Sequence, residues 1–250
     1  MKTAFIIQAR MGSTRLPNKV LLPFYNGKCM LQLLVDKLSQ VEGITTIIAT
    51  SDNRDNDAIE KFCNDNNVIC FRGDERDLLK RFIDAAEANG IERIVRICSD
   101  NPFLELDSIK TLIAKAEFSK ADYISFNIKG TPSILTHYGF WTEYTTLSAL
   151  KKVQRITEEQ YYHEHVTIYI YKHPDEFNVE WIEGPDCLIG HNDIRLTIDT
   201  SEDFKNAQEI YSDLCSSNPY PSISEIVAYL DKHTEIYGIM AKQISQNIKK

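Results

Sequence analysis

Three cations stand close together near the amino terminus: Arg10, Arg15 and Lys19, separated by five and four residues. They lie in the stretch Gln8-Ala-Arg-Met-Gly-Ser-Thr-Arg-Leu-Pro-Asn-Lys19, which follows the short apolar run Ala4-Phe5-Ile6-Ile7. A loop of Arg, Lys and backbone donors at the carboxyl end of a buried strand suits a polyphosphate. If it folds back on itself, all three cations face one anion, and Gly12 allows a close backbone approach. A solvated basic turn is the other reading of the same residue types. The stretch is not a Walker loop, since Leu22 stands where the first glycine would precede Gly27-Lys28. Nor is it a dinucleotide fingerprint, because Gly12 is the only glycine before Gly27.

Asp100 and Asp199 are the carboxylates that matter beside this loop. Each follows a predicted strand, so both project from the carboxyl edge of a parallel sheet, where such folds bind ligands. Two aspartates together with phosphate oxygens satisfy Mg²⁺, which takes a few hard oxygen ligands and keeps water on the rest. Either aspartate alone reads as a helix cap or a turn residue; their shared edge with the cationic loop favours the metal and phosphate reading.

The elements that must position these residues follow from periodicity. Helical spacing is read over Met30–Val41, Asp57–Asn66, Leu78–Ala86 and Asp107–Phe118. Between them, Thr45–Thr50, Val68–Phe71, Ile91–Cys98 and Ala121–Phe126 read as buried strands. This alternation implies an α/β fold, an open and mostly parallel sheet with helices on both faces. From residue 127 to 181 the rhythm changes, and the segment, with the aromatic run Tyr138–Trp141, is expected to be an inserted strand/helix arm that carries substrate contacts, a dimer surface or simple packing. Strands are expected again at Asn178–Ile182 and Asp193–Ile198, then a helix capped by Thr200 or Ser201. Helices at Ser222–Lys232 and Ile236–Ile248 close the chain, and residues 218–250 are expected to be peripheral to a single domain of 1–250.

The net charge of −8 and pI near 5.3 argue against a nucleic-acid surface. The amino-terminal apolar run is too short for a signal core or a membrane span, so a cytoplasmic protein is expected. Six scattered cysteines without a Cys-x-x-Cys pair signal neither zinc nor disulfides. His163 and His165, two apart, point away from each other on a helix and are demoted as zinc ligands. Asp55-Asn56-Asp57 reads as a helix start rather than a metal motif. Tyr161, Tyr162, Tyr169 and Tyr171 read as packing.

Five segments carry a resemblance: Gln8–Lys19, Phe71–Glu75, Arg96–Pro102, Glu164–Tyr169 and Arg195–Asp203. In sequence and order they resemble the SpsF family of spore-coat polysaccharide proteins, related to the cytidylyltransferases that activate acylneuraminate and 3-deoxy-manno-octulosonate. The resemblance implies a sheet of the nucleotide-diphospho-sugar transferase type and transfer of CMP from CTP to a sugar acid, with release of pyrophosphate. It assigns the Gln8-Ala9 backbone to cytosine, and Arg10, Ser13, Arg15 and Lys19 to the triphosphate, with Gly12 in the same loop. It assigns Asp100 and Asp199 to Mg²⁺, makes Arg15, Lys19 and these two aspartates the catalytic set, and lines the nucleotide pocket with Arg72 and Arg96. His165 is implied to face the acceptor, with Asn127 and Glu164 beside it, and a homodimer is expected. Two departures stand out, of which the second leaves the acceptor open. Ser99-Asp-Asn-Pro102 stands where the family has Gly-Asp-Cys-Pro, and Thr131–Gly139 lacks the family's Pro-Asp-Gly-Leu-Asp-Val. A glycosyltransferase, or a nucleotidylyltransferase using another NTP or a phosphorylated or phosphonylated acceptor, is the alternative.

Overall fold

The structure, a computed structural model, describes residues 1–246. In chain order its strands are β1 (Thr3–Gln8), β2 (Pro23–Tyr25), β3 (Lys28–Cys29), β4 (Thr45–Ser51), β5 (Ile69–Gly73), β6 (Arg93–Cys98), β7 (Tyr123–Ile128), β8 (Thr131–Pro132), β9 (Glu143–Thr146) and β10 (Val179–Glu183). The α-helices are α1 (Met30–Leu38), α2 (Asp57–Asp65), α3 (Leu78–Ala88), α4 (Leu106–Phe118), α5 (Leu147–Ile156), α6 (Gln160–Glu164), α7 (Ile168–Lys172), α8 (Ser201–Cys215), α9 (Ile223–Lys232) and α10 (Thr234–Gln246). The central sheet runs β10-β7-β9-β6-β1-β4-β5, with β8 paired to β7, while β2 and β3 form a separate hairpin.

Strand residues alternate between two apolar layers, as the two-residue period of a strand requires. Phe5 and Ile7 of β1 face one core, with α1, α4 and α8, whereas Ala4 and Ile6 face the other, with α3 and α5. Both faces are therefore covered, and β1, β4, β5 and β6 are parallel neighbours whose carboxyl ends share one edge.

The segment 127–181 is not an arm outside the sheet. Its strand β9 sits in the middle, antiparallel to both β6 and β7, and β10 lies parallel to β7 at the end. The rhythm breaks in sequence because a four-residue antiparallel strand replaces the helix-and-parallel-strand repeat. Tyr138–Trp141 is not strand; the rings pack in the larger core. Asp193–Ile198 also lacks a ladder. The Leu196 and Thr197 amides donate to the His137 carbonyl and that of Ile198 to Asp100, so this extended run lies against loops rather than a strand.

Helix α8 begins as expected: Thr200 caps it, with Asp203 reaching back in a capping box. Helices α9 and α10 are less peripheral than expected, since Ile226, Leu230, Ile236 and Met240 are buried in the larger core. Ile248, the expected end of the last helix, lies outside the described residues. No helix among the described residues is long and apolar enough to cross a membrane.

Candidate active site

The loop after β1 closes on itself through two amides, Ser13 N–H and Asn18 N–H, which both donate to the Met11 carbonyl at 2.8 and 3.1 Å. Asn18 adopts φ 61°, a left-handed conformation that asparagine tolerates better than most residues. Asn56 ties the loop to the sheet: its Oδ1 accepts from Met11 N–H at 2.9 Å and its Nδ2 donates to Ser51 Oγ at 2.7 Å. Asn56 is 3% exposed, so its loss leaves the part-buried Met11 N–H without its partner and removes the shorter of two bonds to the buried Ser51 Oγ. Asn56→Ala is expected to lower unfolding stability by about 1–3 kcal/mol, read by urea denaturation; an unchanged midpoint would show that the loop is held otherwise.

Inside the loop, Lys19 is directed inward. Its Nζ donates to the Ile198 carbonyl at 2.5 Å and lies 3.4 Å from Asp100 Oδ2 and 3.7 Å from Asp199 Oδ1. One ammonium thus stands between two carboxylates that come from distant parts of the chain. Arg15 Nη2 approaches Asp199 Oδ1 at 3.0 Å from the more exposed side. Asp199 is held from behind by Arg195, whose Nη2 reaches its Oδ2 at 3.1 Å. Arg195 also grips Asp203 with two bonds, Nε to Oδ1 at 2.8 Å and Nη2 to Oδ2 at 3.0 Å. Burial alone would raise the Asp203 pKa, but this fork and the Asp199 and Thr200 amides outweigh it and lower it. Arg195 donates to His137 Nδ1 at 3.0 Å, so that nitrogen accepts. Burial, and then Arg195, push the His137 pKa down, which keeps the ring neutral.

Arg15, Lys19, Asp100 and Asp199 line a cleft of about 870 Å³ at the carboxyl edge of the sheet. Gln8, Ala9, Arg10, Ser13, Arg15, Lys19, Arg96, Asp100, Glu164, His165 and Asp199 all border it. In its lining Arg96 donates from Nε to Gln8 Oε1 at 3.1 Å and pairs with the buried Glu143. The Cys98 thiol is pushed up to about 12, chiefly by burial, and so stays protonated rather than serving as a nucleophile. Among the described residues no group of three or more His, Cys, Asp or Glu side chains is placed to hold a metal. Asp100 and Asp199 remain a two-carboxylate site, already converging on a cationic nitrogen, and their donor chemistry fits a hard cation whose other ligands come from elsewhere.

A family model described as cytidylyltransferase matches residues 4–245. The chain belongs to the cytidylyltransferase family. It is similar to the spore coat polysaccharide biosynthesis protein SpsF of Bacillus subtilis, 34% identical over 237 residues, covering 92% of this chain and 95% of that protein. A shorter match joins it to 3-deoxy-manno-octulosonate cytidylyltransferase 2 of Hydrogenovibrio crunogenus, 36% identical over 127 residues and 49% of each chain. Among solved structures, a cytidylyltransferase from Leptospira borgpetersenii superposes with a TM-score of 0.82 at 27% identity, covering 95% of this chain and 97% of that one.

Three expected site residues of this cytidylyltransferase lie outside the cleft lining. Arg72 is spent on α2, pairing with Asp57 at 2.7 Å and Glu60 at 2.6 Å. Asn127 closes a turn, its Oδ1 accepting from Gly130 N–H at 3.0 Å. Gly12 does not border the cleft, and a Cβ there would meet no protein atom within 4 Å. His163 is occupied at both nitrogens, by Asp77 at 2.7 Å and the Thr157 carbonyl at 2.9 Å, which excludes it as a metal ligand in this conformation. Asp55 does not cap the short turn before α2; Asn53 does, by accepting from the Asp55 amide.

Other residues join the site without having been expected. Arg81 is nearly buried and holds the carbonyls of Asp74 and Glu75, shaping the loop that brings Glu75 and Arg76 to the cleft. Arg195 was legible as a pattern, since Arg195, Asp199 and Asp203 recur every four residues. Glu143 carried a fainter signal: a single carboxylate among Trp141, Thr142 and Tyr144.

Proposed function

We propose that this cytidylyltransferase transfers CMP from CTP to a sugar acid in surface polysaccharide or glycan biosynthesis, with Mg²⁺ as its metal. The observation that carries this reading is the convergence of Lys19 and Arg15 on Asp100 and Asp199 in one cleft. Relatives named for polysaccharide biosynthesis and for 3-deoxy-manno-octulosonate support the acceptor class.

Arg10, Ser13, Arg15 and Lys19 bind the triphosphate, and the Gln8-Ala9 backbone meets the base. To reach phosphate, Arg15 exchanges its exposed bond to Asp199 for phosphate oxygens, which releases one carboxylate oxygen. Asp100 and Asp199 would hold Mg²⁺, which supplies charge neutralisation on the phosphates. The acceptor hydroxyl gives up its proton to solvent water, its oxygen bonds the α-phosphorus, and the bond from that phosphorus to the bridging β-phosphate oxygen breaks, so that pyrophosphate carries away the electron pair. Lys19 and Arg15 neutralise the charge that passes to pyrophosphate. Nothing in this route needs a covalent enzyme intermediate. Glu164 and His165 flank the acceptor. A homodimer belongs to the same reading, as does a cytoplasmic location on the strength of the short amino-terminal apolar run, and sedimentation velocity checks the assembly.

Incubation with Mg²⁺, inorganic pyrophosphatase, each of the four NTPs and a panel of sugar acids tests the function. Phosphate is expected only where CTP and a sugar acid are both present. Phosphate formed with another NTP, or consumption of a nucleotide-sugar without pyrophosphate, would replace the reading.

A further inference from the structure

Glu143 is 4% exposed, borders a small pocket that shares Asp100 with the cleft, and gathers three donors from distant parts of the chain. Arg96 of β6 pairs with its Oε2, while the Tyr123 hydroxyl of β7 and the Thr167 hydroxyl donate to Oε1 at 2.6 and 2.9 Å. Thr167 is fully buried in the corner between α6 and α7, beside Val166, which is held at φ 47°. That corner sets where Glu164 and His165 stand in the wall. On the floor, the bond from Arg96 Nε engages Gln8 Oε1 and fixes the Gln8 carboxamide. The Gln8 amide nitrogen and the second terminal nitrogen of Arg96 have no hydrogen-bond partner among the described residues, and both side chains border the cleft.

We propose that Glu143 is a positioning residue for the acceptor end of the cleft, fixing through one carboxylate the α6–α7 wall where Glu164 and His165 flank the acceptor and, beside it, the contact between Arg96 and Gln8. A charge pair this dry is often replaceable by apolar packing without loss of stability, so a gain in stability does not by itself account for it. The functional half of the proposal rests on the reading that the acceptor occupies this end; the positional half does not.

Glu143→Gln tests it in the full chain, because the amide retains an oxygen for Tyr123 and Thr167 but turns a donor toward Arg96. Hydrogen exchange across residues 160–168 is expected to quicken at least about tenfold, with β1 and β4 unchanged. With 3-deoxy-manno-octulosonate as the probe acceptor, its KM is expected to rise about tenfold or more, while the CTP Kd from calorimetry stays within about threefold. Exchange that quickens uniformly through the sheet, or stays as in the wild type, overturns the proposal. A wild type that turns over no sugar acid overturns the proposed function instead, and exchange then decides the role of Glu143 alone. Should Glu143→Gln fail to fold, Thr167→Val removes only the bond to the wall and must still quicken exchange at 160–168.

Discussion

Asp199→Asn is expected to lower kcat for CMP transfer by about 10²–10³-fold, the loss typical when a preorganised charge at a transferring phosphoryl group is removed. The asparagine fills the same space and keeps one oxygen, for the Arg195 contact at 3.1 Å, while its amide nitrogen takes the more exposed position that Arg15 reaches at 3.0 Å. Because Arg195 retains its two bonds to Asp203, the thermal midpoint should move little. What changes is charge: an amide oxygen is a poorer ligand for a hard cation, so the Mg²⁺ concentration needed for half-maximal rate should rise with the loss of rate. Asp100→Asn should behave alike, and a chelator should abolish wild-type turnover. Near-wild-type pyrophosphate release by either variant would sink the assignment of both aspartates.

Lys19→Met carries the second large effect, with two separable parts. Methionine keeps an unbranched stem but removes the ammonium that stands between Asp100 and Asp199. Turnover with CTP should fall about 10²-fold or more, as for other charge-neutralising groups in phosphoryl transfer. Stability should fall too, by about 1–2 kcal/mol, less than for a fully buried pair because both carboxylates are partly solvated. Added Mg²⁺ should then restore the midpoint more in the variant than in the wild type, since a cation that binds only the native state stabilises it by mass action. A midpoint indifferent both to the substitution and to Mg²⁺ would show that the two aspartates do not form one cation site.

The residues legible in sequence were those whose neighbours along the chain also decide their place. Arg10, Ser13, Arg15 and Lys19 follow a buried strand within twelve residues, and Asp100 follows β6 directly; the cleft contains them all. Asp199 was placed at the right edge for a partly mistaken reason. The run before it has the alternation of a strand, but its amides meet loop carbonyls instead of a ladder. Arg72 was misjudged because its alternatives are not visible from its own strand: Asp57 and Glu60, one helical turn apart on α2, already take its guanidinium. Asn127 turned out to serve the bend into β8. The central place of β9 was the least legible feature, for four residues carry little periodicity and their partners are set by tertiary pairing.

That placement also has a consequence for how the chain comes to be made. Strands β1, β4, β5 and β6 can pair as soon as residues 3–98 have left the ribosome, and this piece already holds the cationic loop. Yet β6 then remains an open edge, a template for mispairing, and Arg96 lacks the carboxylate that it meets in the finished protein. Both deficits end together when Glu143–Thr146 emerges and is threaded between β6 and β7. The strand that completes the sheet during synthesis also brings the carboxylate that Arg96 pairs with, so a nascent chain acquires a protected edge and a partnered Arg96 in the same step.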